Sequence, residues 1–455
     1  MTKLIVVLFN MCLSPITYKD TRGNSPVVRT VPCGHCLECV SAFQNSWSIR
    51  LGEESQCWKF SAFVTLKYCE QRIPLIDVTL DDEQLNYVNN SLSKLVINCN
   101  LNDPRRQKPE YRHLLVSSDV CRTINIPCKR DLQNLVKRLR ISIERKYTGD
   151  TRLKYFISTE YGPSTLRAHA HCIFFFNFPY EMFAEVIKQT WVSIASLPYA
   201  SASFKDKCID LSLCRDARRV ANYVSKYCCK PSAFENPYVV VGVAPKCFRL
   251  ISKGIGLRYA RDLSSRVRTL YSEYGLPYHE KFSKLGTPYN ANPTFSISLT
   301  KKSHLNLDSF YNALDSIFTY SVIGKHGVYH LRSPRYFRDL LFPQKDYPVR
   351  TFQKVPSESC ESYHYDILYK FQRRKNTESD IYLEFVDWRD RRCYQKHIEK
   401  VAEYLHAGLS RDDAEMRILA DEKADLQTRY DNKLRSFTAF YRKKTAHAGY
   451  YVISE

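Results

Sequence analysis

The stretch LKYFISTEY GPSTLRA HAHCIFFFNF, residues 153–178, decides the fold. Residues 153–161 and 169–178 are rich in β-branched and aromatic side chains. Gly162, Pro163 and Ser164 between them are turn formers, so the segment reads as an antiparallel hairpin. Side chains two apart on a strand share a face, which sends His169 and His171 to one side while the apolar run after them anchors the strand. The hairpin brings Glu160, nine positions before His169, level with that pair. Two imidazoles and a carboxylate leave positions open for water and phosphate, which suits Mg²⁺ or Mn²⁺ better than a closed structural zinc site. Read alone, the histidines fit a solvated or core-satisfied pair better than a metal site. Glu160 fits a surface carboxylate at a strand end equally well.

Outward from the hairpin, residues 128–147 place Leu132, Leu135, Val136 and Leu139 at spacings of three and four and predict an amphipathic helix. KFSAFVTLKY (59–68) predicts a strand, and residues 181–194 a helix. LCRDARRVANYVSKYCCK (213–230) predicts another helix, with Leu213, Ala217, Val220, Val224 and Cys228 on one stripe and Pro231 to stop it. The polar residues 69–127 are expected to form loops around weaker elements. Residues 306–342 suggest mixed α/β structure, and 378–445 mostly helix. The expected class is therefore α+β: an antiparallel sheet with helices on one face, plus a mostly helical C-terminal region. The expected domains are a loop-rich, cysteine-rich segment over 1–57, a catalytic domain over 58–260 with 69–127 inserted, and a C-terminal region over 261–455 to which no chemistry is assigned.

Within the predicted helix of 213–230, Tyr223 and Tyr227 lie one turn apart on one face, and Lys226 and Lys230 each follow a tyrosine by three residues. A plain helix with aromatics flanking its core stripe has the same pattern. Joined to the histidines, however, the pair describes a reaction. A phenol with a pKa of about 10 is a poor nucleophile at neutral pH and needs a polarised target. A divalent ion on Glu160, His169 and His171 would polarise a DNA phosphate, giving a 5′-phosphotyrosine and a free 3′-hydroxyl. A second tyrosine allows a second cleavage while the first still holds DNA.

The rest of the 455 residues sets limits. Lys plus Arg is 68 against 47 Asp plus Glu, a formal net charge of +21, which calls for a polyanionic partner. Residues 129–154 carry nine basic against three acidic side chains, with Lys137, Arg138 and Arg140 among them, and Arg215, Arg218 and Arg219 precede the tyrosines. These faces neutralise phosphate without choosing sequence, and Lys67 adds a DNA contact near the site. No GxxxxGK[ST] loop is present, so no NTP chemistry of that kind is expected. The apolar run Leu4–Phe9 is too short to span a bilayer and reads as an edge strand, and Met11 is a second sensible start. Seventeen cysteines without a secretory signal read as reduced cytosolic thiols. Among them Cys33, Cys36 and Cys39 can hold a structural Zn²⁺ once a fourth ligand arrives from Cys12, Cys57 or His35, and a reduced turn shaped by Gly34 is the alternative. A bacterial ferredoxin run would continue at position 43, which is Phe43.

FVTLKY (Phe63 to Tyr68), HAH (His169 to His171) and YVSKYCCK (Tyr223 to Lys230) resemble, in order, three motifs of the HUH endonucleases that start rolling-circle replication. VPCGHCLEC, FVTLKY, the KRLR helix, TEYG with RAHAH after it, and SKGIG (Ser252 to Gly256) are similar to the replication initiation proteins of the Microviridae, of gokushovirus type. The resemblance covers roughly residues 12–70 and 128–260. It implies an HUH-like palm, metal ligation by His169 and His171, and nucleophilic Tyr223 and Tyr227. It also implies nicking and joining of viral DNA at the phage origin, on single strands and on the double-stranded replicative form. Host helicase and polymerase are the implied partners, in the bacterial cytoplasm with no membrane. The family usually has RPHYH where this chain has Arg167-Ala168-His169-Ala170-His171, and Thr where Lys67 stands; neither departure removes a catalytic group. The alternatives are a relaxase or transposase of the same chemistry, and a non-catalytic, zinc-dependent DNA-binding or packaging protein.

Overall fold

The computed structural model describes residues 16–20, 27–34, 36–69, 72–96, 120–162, 166–196, 198, 207–214, 235–276, 296–298, 306–324, 327–341 and 378–448. Along them run β1 (Ile16–Asp20), β2 (Val27–Val31), α1 (Leu37–Ser55), β3 (Phe60–Leu66), β4 (Leu75–Thr79), α2 (Asp82–Val96), β5 (Cys121–Asn125) and α3 (Lys129–Lys146). Next come β6 (Leu153–Tyr161), β7 (Ala168–Phe176), α4 (Tyr180–Ala195), β8 (Ile209–Leu213), α5 (Pro237–Val240), β9 (Arg249–Ile251) and α6 (Leu257–Glu273). The chain continues through β10 (Ser296–Ser298), α7 (Leu307–Ile317), β11 (Thr319–Gly324), β12 (Gly327–Arg332), α8 (Arg335–Leu341), β13 (Glu378–Asp380), α9 (Ile381–His406) and α10 (Arg411–Ala448). The class is α+β, with a mostly helical C-terminal region, as the sequence pattern predicts. Two compact units result, Val40–Gly256 with Leu434–Glu455, and Met1–Cys39 with Leu257–Lys433.

The first unit is built on a five-stranded antiparallel sheet of order β8-β3-β7-β6-β9. β7 is its centre and is apolar on both faces. Cys172, Phe174 and Phe176 point to a core closed by Leu132, Leu135, Val136, Leu139 and Ile143 of α3 and by Phe183, Val186, Ile187 and Trp191 of α4. Ile173 and Phe175 point the other way, onto Trp47 and Leu51 of α1. The expectation of helices on one face is thus half of the arrangement. A strand buried on both sides needs two covers, and α1 supplies the second. The same finding replaces the loops expected before residue 57, since Leu37–Ser55 is a 19-residue helix.

α3 follows from its stripe of buried aliphatics, and its ends suit the helix dipole, with Asp131 in the first turn and Arg145 and Lys146 in the last. The inserted residues contribute the β4–β5 ladder and α2. Val78, Leu80, Val88, Leu92 and Ile124 form a second core there with Tyr161, Leu166 and Ala168. The insertion therefore clamps the open end of the β6–β7 hairpin, and the side chain of Asn125 accepts the Ala168 N–H at 2.6 Å.

One boundary differs from the sequence reading. Leu213, expected to open a helix, ends strand β8 and pairs with Ala62 of β3. The IDLSL alternation satisfies the edge of β3, so any helix carrying the later stripe begins after Cys214. Residues 215–234 lie outside the described residues, and with them Arg215, Arg218, Arg219, Tyr223, Lys226, Tyr227 and Lys230. The apolar run 4–9 lies outside them too.

The SKGIG segment fastens the far edge of the sheet to α1. Gly254 and Gly256 both have left-handed backbones, with φ of 74° and 81°. The buried Glu54 carboxylate accepts the Gly256 N–H at 2.7 Å and the Trp58 Nε1–H at 2.9 Å, and it pairs with Lys154 Nζ at 2.7 Å. Removing an anion that holds three donors strands all of them, and breaking a buried pair costs about 3–5 kcal/mol. Glu54→Ala is therefore expected to lower the unfolding free energy by about 3 kcal/mol, read as a fall in denaturant midpoint; an unchanged midpoint would show that the network contributes nothing.

In the second unit, β1 and β2 form a hairpin, as do β11 and β12. α6 packs on α7 through Tyr271 against Phe310, ring centroids 5.0 Å apart. Tyr259 packs edge-on against Phe337 of α8. α9 and α10 join through Val401, Ala414 and Ile418. Among the described residues, no helix is long and apolar enough to cross a membrane.

Candidate metal centre on the central strand

Glu160 and His169 are direct cross-strand partners in the β6–β7 ladder, and His171 sits opposite Ser158 on one side and Thr65 on the other. Cross-strand partners share a face. Since Ala170 and Cys172 enter the core under α3 and α4, both histidines project from the opposite face, beyond the part that α1 covers.

The three side chains meet. His169 Nε2 and His171 Nε2 are 3.1 Å apart, with ring planes at 84°. Glu160 Oε2 lies 3.1 Å from His171 Nε2 and 3.5 Å from His169 Nε2. Donors bound at about 2.1 Å to one ion stand roughly 3.0–3.4 Å apart between octahedral and tetrahedral angles. Glu160 and His171 are buried, whereas His169 keeps 17% side-chain exposure, so the site opens along the His169 edge.

The surroundings fix which nitrogen faces inward. His169 Nδ1 lies 3.0 Å from the Arg167 carbonyl, which can only accept, so the proton sits on Nδ1 and Nε2 presents its lone pair. His171 Nδ1 lies 3.3 Å from Thr65 Oγ1, and the same tautomer follows where that hydroxyl accepts. Such outer hydrogen bonds are the usual means of orienting metal-binding imidazoles. Phe63 stacks on His171 with centroids 5.9 Å apart and rings nearly parallel. Two nitrogen lone pairs and a carboxylate oxygen aimed at one point repel unless a cation stands among them. The donor set therefore fits a divalent ion.

The loop before β7 is tight. Leu166 has φ +50°, a left-handed backbone uncommon outside glycine, and its N–H reaches back to the Gly162 carbonyl at 3.0 Å. The Gly162 N–H in turn donates to the Arg167 carbonyl at 2.9 Å, the same oxygen that orients His169.

Two tyrosines flanking the site are committed elsewhere. Tyr68 donates to Asp131 at 3.0 Å, and burial first, then the Asp131 charge, push its phenol far above the ordinary value. Tyr161 donates to the Pro245 carbonyl, and burial raises it likewise. Neither is an available nucleophile.

The predicted basic residues divide between the faces. Lys137, Arg138 and Arg140 lie on α3, across the sheet from the histidines, rather than beside them. Arg138 reaches Ser193 and Arg140 lies over the Tyr155 ring. Lys67 stands at the end of β3 and pairs with Asp210 of β8 at 2.6 Å, both well exposed. Sequence reasoning missed Thr65, Asp210 and Arg249, which join His171 and Ser158 in one row across the sheet. Arg249 is exposed and its guanidinium lies 4.5 Å from the Phe43 ring centre. The period-two face of β3 carried a signal for Thr65, but Asp210 and Arg249 are legible only from the register of edge strands.

Cys33, Cys36 and Cys39 form a second cluster, in the other unit, with their sulfur atoms within 4.8 Å of one another. Cys57, expected as a possible fourth member, follows the far end of α1. Eighteen residues at 1.5 Å rise place it about 27 Å along the helix from Cys39. Its thiol lies 3.7 Å from the Glu53 carbonyl. His35 and Cys12 lie outside the described residues.

Residues 121–232 match the family model of the Replication-associated protein ORF2, a span that contains Glu160, His169, His171, Tyr223 and Tyr227. Over 254 residues the chain is 28% identical to the Replication-associated protein ORF2 of Spiroplasma virus 4, covering 54% of this chain and 62% of that relative. The alignment thus spans less than two thirds of the relative's length. No solved structure matches the chain.

Proposed function

We propose that this chain starts replication of a single-stranded DNA virus by nicking the viral strand and rejoining it through tyrosine, in the manner of HUH initiators of the Microviridae. The observation that carries this reading is the meeting of Glu160 Oε2, His169 Nε2 and His171 Nε2 within 3.5 Å, each imidazole steered by its other nitrogen. The similarity to a viral replication-associated protein supports it. So does the charge of +21.

Glu160, His169 and His171 are the residues that hold the ion. Two imidazoles beside one carboxylate favour Mn²⁺ over Mg²⁺, which prefers all-oxygen surroundings. When bound, the ion supplies Lewis acidity toward a non-bridging phosphate oxygen and orientation of the scissile bond. Tyr223 Oη then attacks phosphorus. The bond to the 3′ oxygen breaks, the phenol proton passes to that oxygen, and the 5′ phosphate stays on the tyrosine. Lys226 offsets the phenolate charge. Tyr227, with Lys230, repeats the step on a second strand, and the freed 3′-hydroxyl reverses it to close the circle.

Arg249 and Lys67, on the site's side of the sheet, hold neighbouring phosphates, with Asp210 keeping Lys67 extended. Lys137, Arg138 and Arg140 bind backbone away from the site and give salt-dependent affinity with little sequence choice. Unwinding falls to a host helicase, which places the reaction on the replicative form in the bacterial cytoplasm.

The test uses the full chain with overlapping viral-strand oligonucleotides, resolved on denaturing gels. A covalent adduct is expected with Mn²⁺, absent in chelator and restored when Mn²⁺ is returned. DNA binding without adduct on every oligonucleotide would overturn the catalytic reading in favour of a non-catalytic DNA-binding protein.

A further inference from the structure

We propose that Cys33, Cys36 and Cys39 bind one structural Zn²⁺ ion, separate from the histidine site and independent of the function proposed above. The three sulfur atoms gather within 4.8 Å, and Cys33 Sγ and Cys39 Sγ are 4.0 Å apart. Four ligands at about 2.3 Å around zinc set neighbouring sulfurs about 3.8 Å apart, so this pair already has the spacing of a shared ion. It is far too wide for a disulfide between those two, which needs about 2.05 Å.

The backbone prepares the thiolates. Gly34 has φ +79°, the left-handed turn that folds Cys36 back onto Cys33, and the Cys36 N–H lies 3.3 Å from Cys33 Sγ. Cys39 sits in the first turn of α1, where the helix dipole favours a negative sulfur. All three side chains are half-buried rather than sealed in apolar packing, so they keep an entry path for an ion. Three soft thiolates select zinc over the harder ions suited to the histidine site. Metal binding displaces three thiol protons to solvent and leaves the sulfurs bound as thiolates. The fourth ligand comes from a donor other than Cys57, which the length of α1 holds away.

The test is metal analysis of the full chain, purified without a metal-affinity tag after growth with both zinc and iron supplied. One zinc per chain is expected. The Cys33→Ser, Cys36→Ser double variant is expected to lose it, and His171→Ala to keep it. Zinc X-ray absorption on the unaltered protein guards against misfolding of the variant, and it should show three sulfur ligands at about 2.3 Å. No bound metal in the unaltered protein, iron in place of zinc, or a zinc shell without sulfur would each overturn the assignment.

Discussion

The Tyr223→Phe, Tyr227→Phe double variant is expected to form no covalent adduct with DNA, while each single variant keeps part of the activity. Removing one hydroxyl leaves the other phenol one helical turn away, within reach of the same phosphodiester. Removing both leaves nothing to attack phosphorus. The tyrosines beside the histidine site cannot substitute, because Tyr68 is tied to Asp131 and Tyr161 to the Pro245 carbonyl, both with phenols raised far out of the useful range. Phenylalanine keeps ring and volume, so loss of the adduct reads out chemistry rather than packing. An undiminished adduct in the double variant would refute the tyrosine assignment while leaving the metal centre standing.

His171→Ala is expected to cost about 10³-fold in nicking. Several kcal/mol of transition-state stabilisation come from a catalytic ion, and each tenfold in rate is 1.36 kcal/mol. His171 is the middle of the three donors, 3.1 Å from each of the others, and lies on the central strand under Phe63. Without it, Glu160 and His169 face each other 3.5 Å apart with no third donor. Binding to single-stranded DNA should persist, since Arg249, Lys67 and the α3 basic residues are untouched. Loss of binding together with nicking would mean that His171 shapes the DNA surface rather than the reaction.

Much of this arrangement is legible in the sequence, for identifiable reasons. Residues 153–178 alternate with period two on both sides of a glycine-proline turn, which fixes the hairpin and sets Glu160 across from His169. The stripe of Leu132, Leu135, Val136 and Leu139 fixes α3. What escapes is long-range. β3 lies more than a hundred residues from β7, and nothing local says that Thr65 pairs with His171. The aliphatic stripe tells that α3 covers a sheet, but not which face. Its basic residues are therefore near the histidines in sequence and across the sheet from them in space. α1 hides because cysteines precede it and its buried positions, among them Trp47 and Leu51, are sparsely spaced. β8 is too short, at five residues, for its alternation to outweigh the helical pattern that starts at Leu213.

The central claim is that Glu160, His169 and His171 hold one divalent ion. It is tested most directly by titrating Mn²⁺ into the purified chain, with electron spin echo detection of nitrogen couplings, beside His171→Ala. One tightly bound Mn²⁺ coupled to two imidazole nitrogens is predicted for the unaltered protein, with weak binding and a single coupling in the variant. Equal Mn²⁺ affinity in the two proteins, or a bound ion without nitrogen coupling, would contradict it.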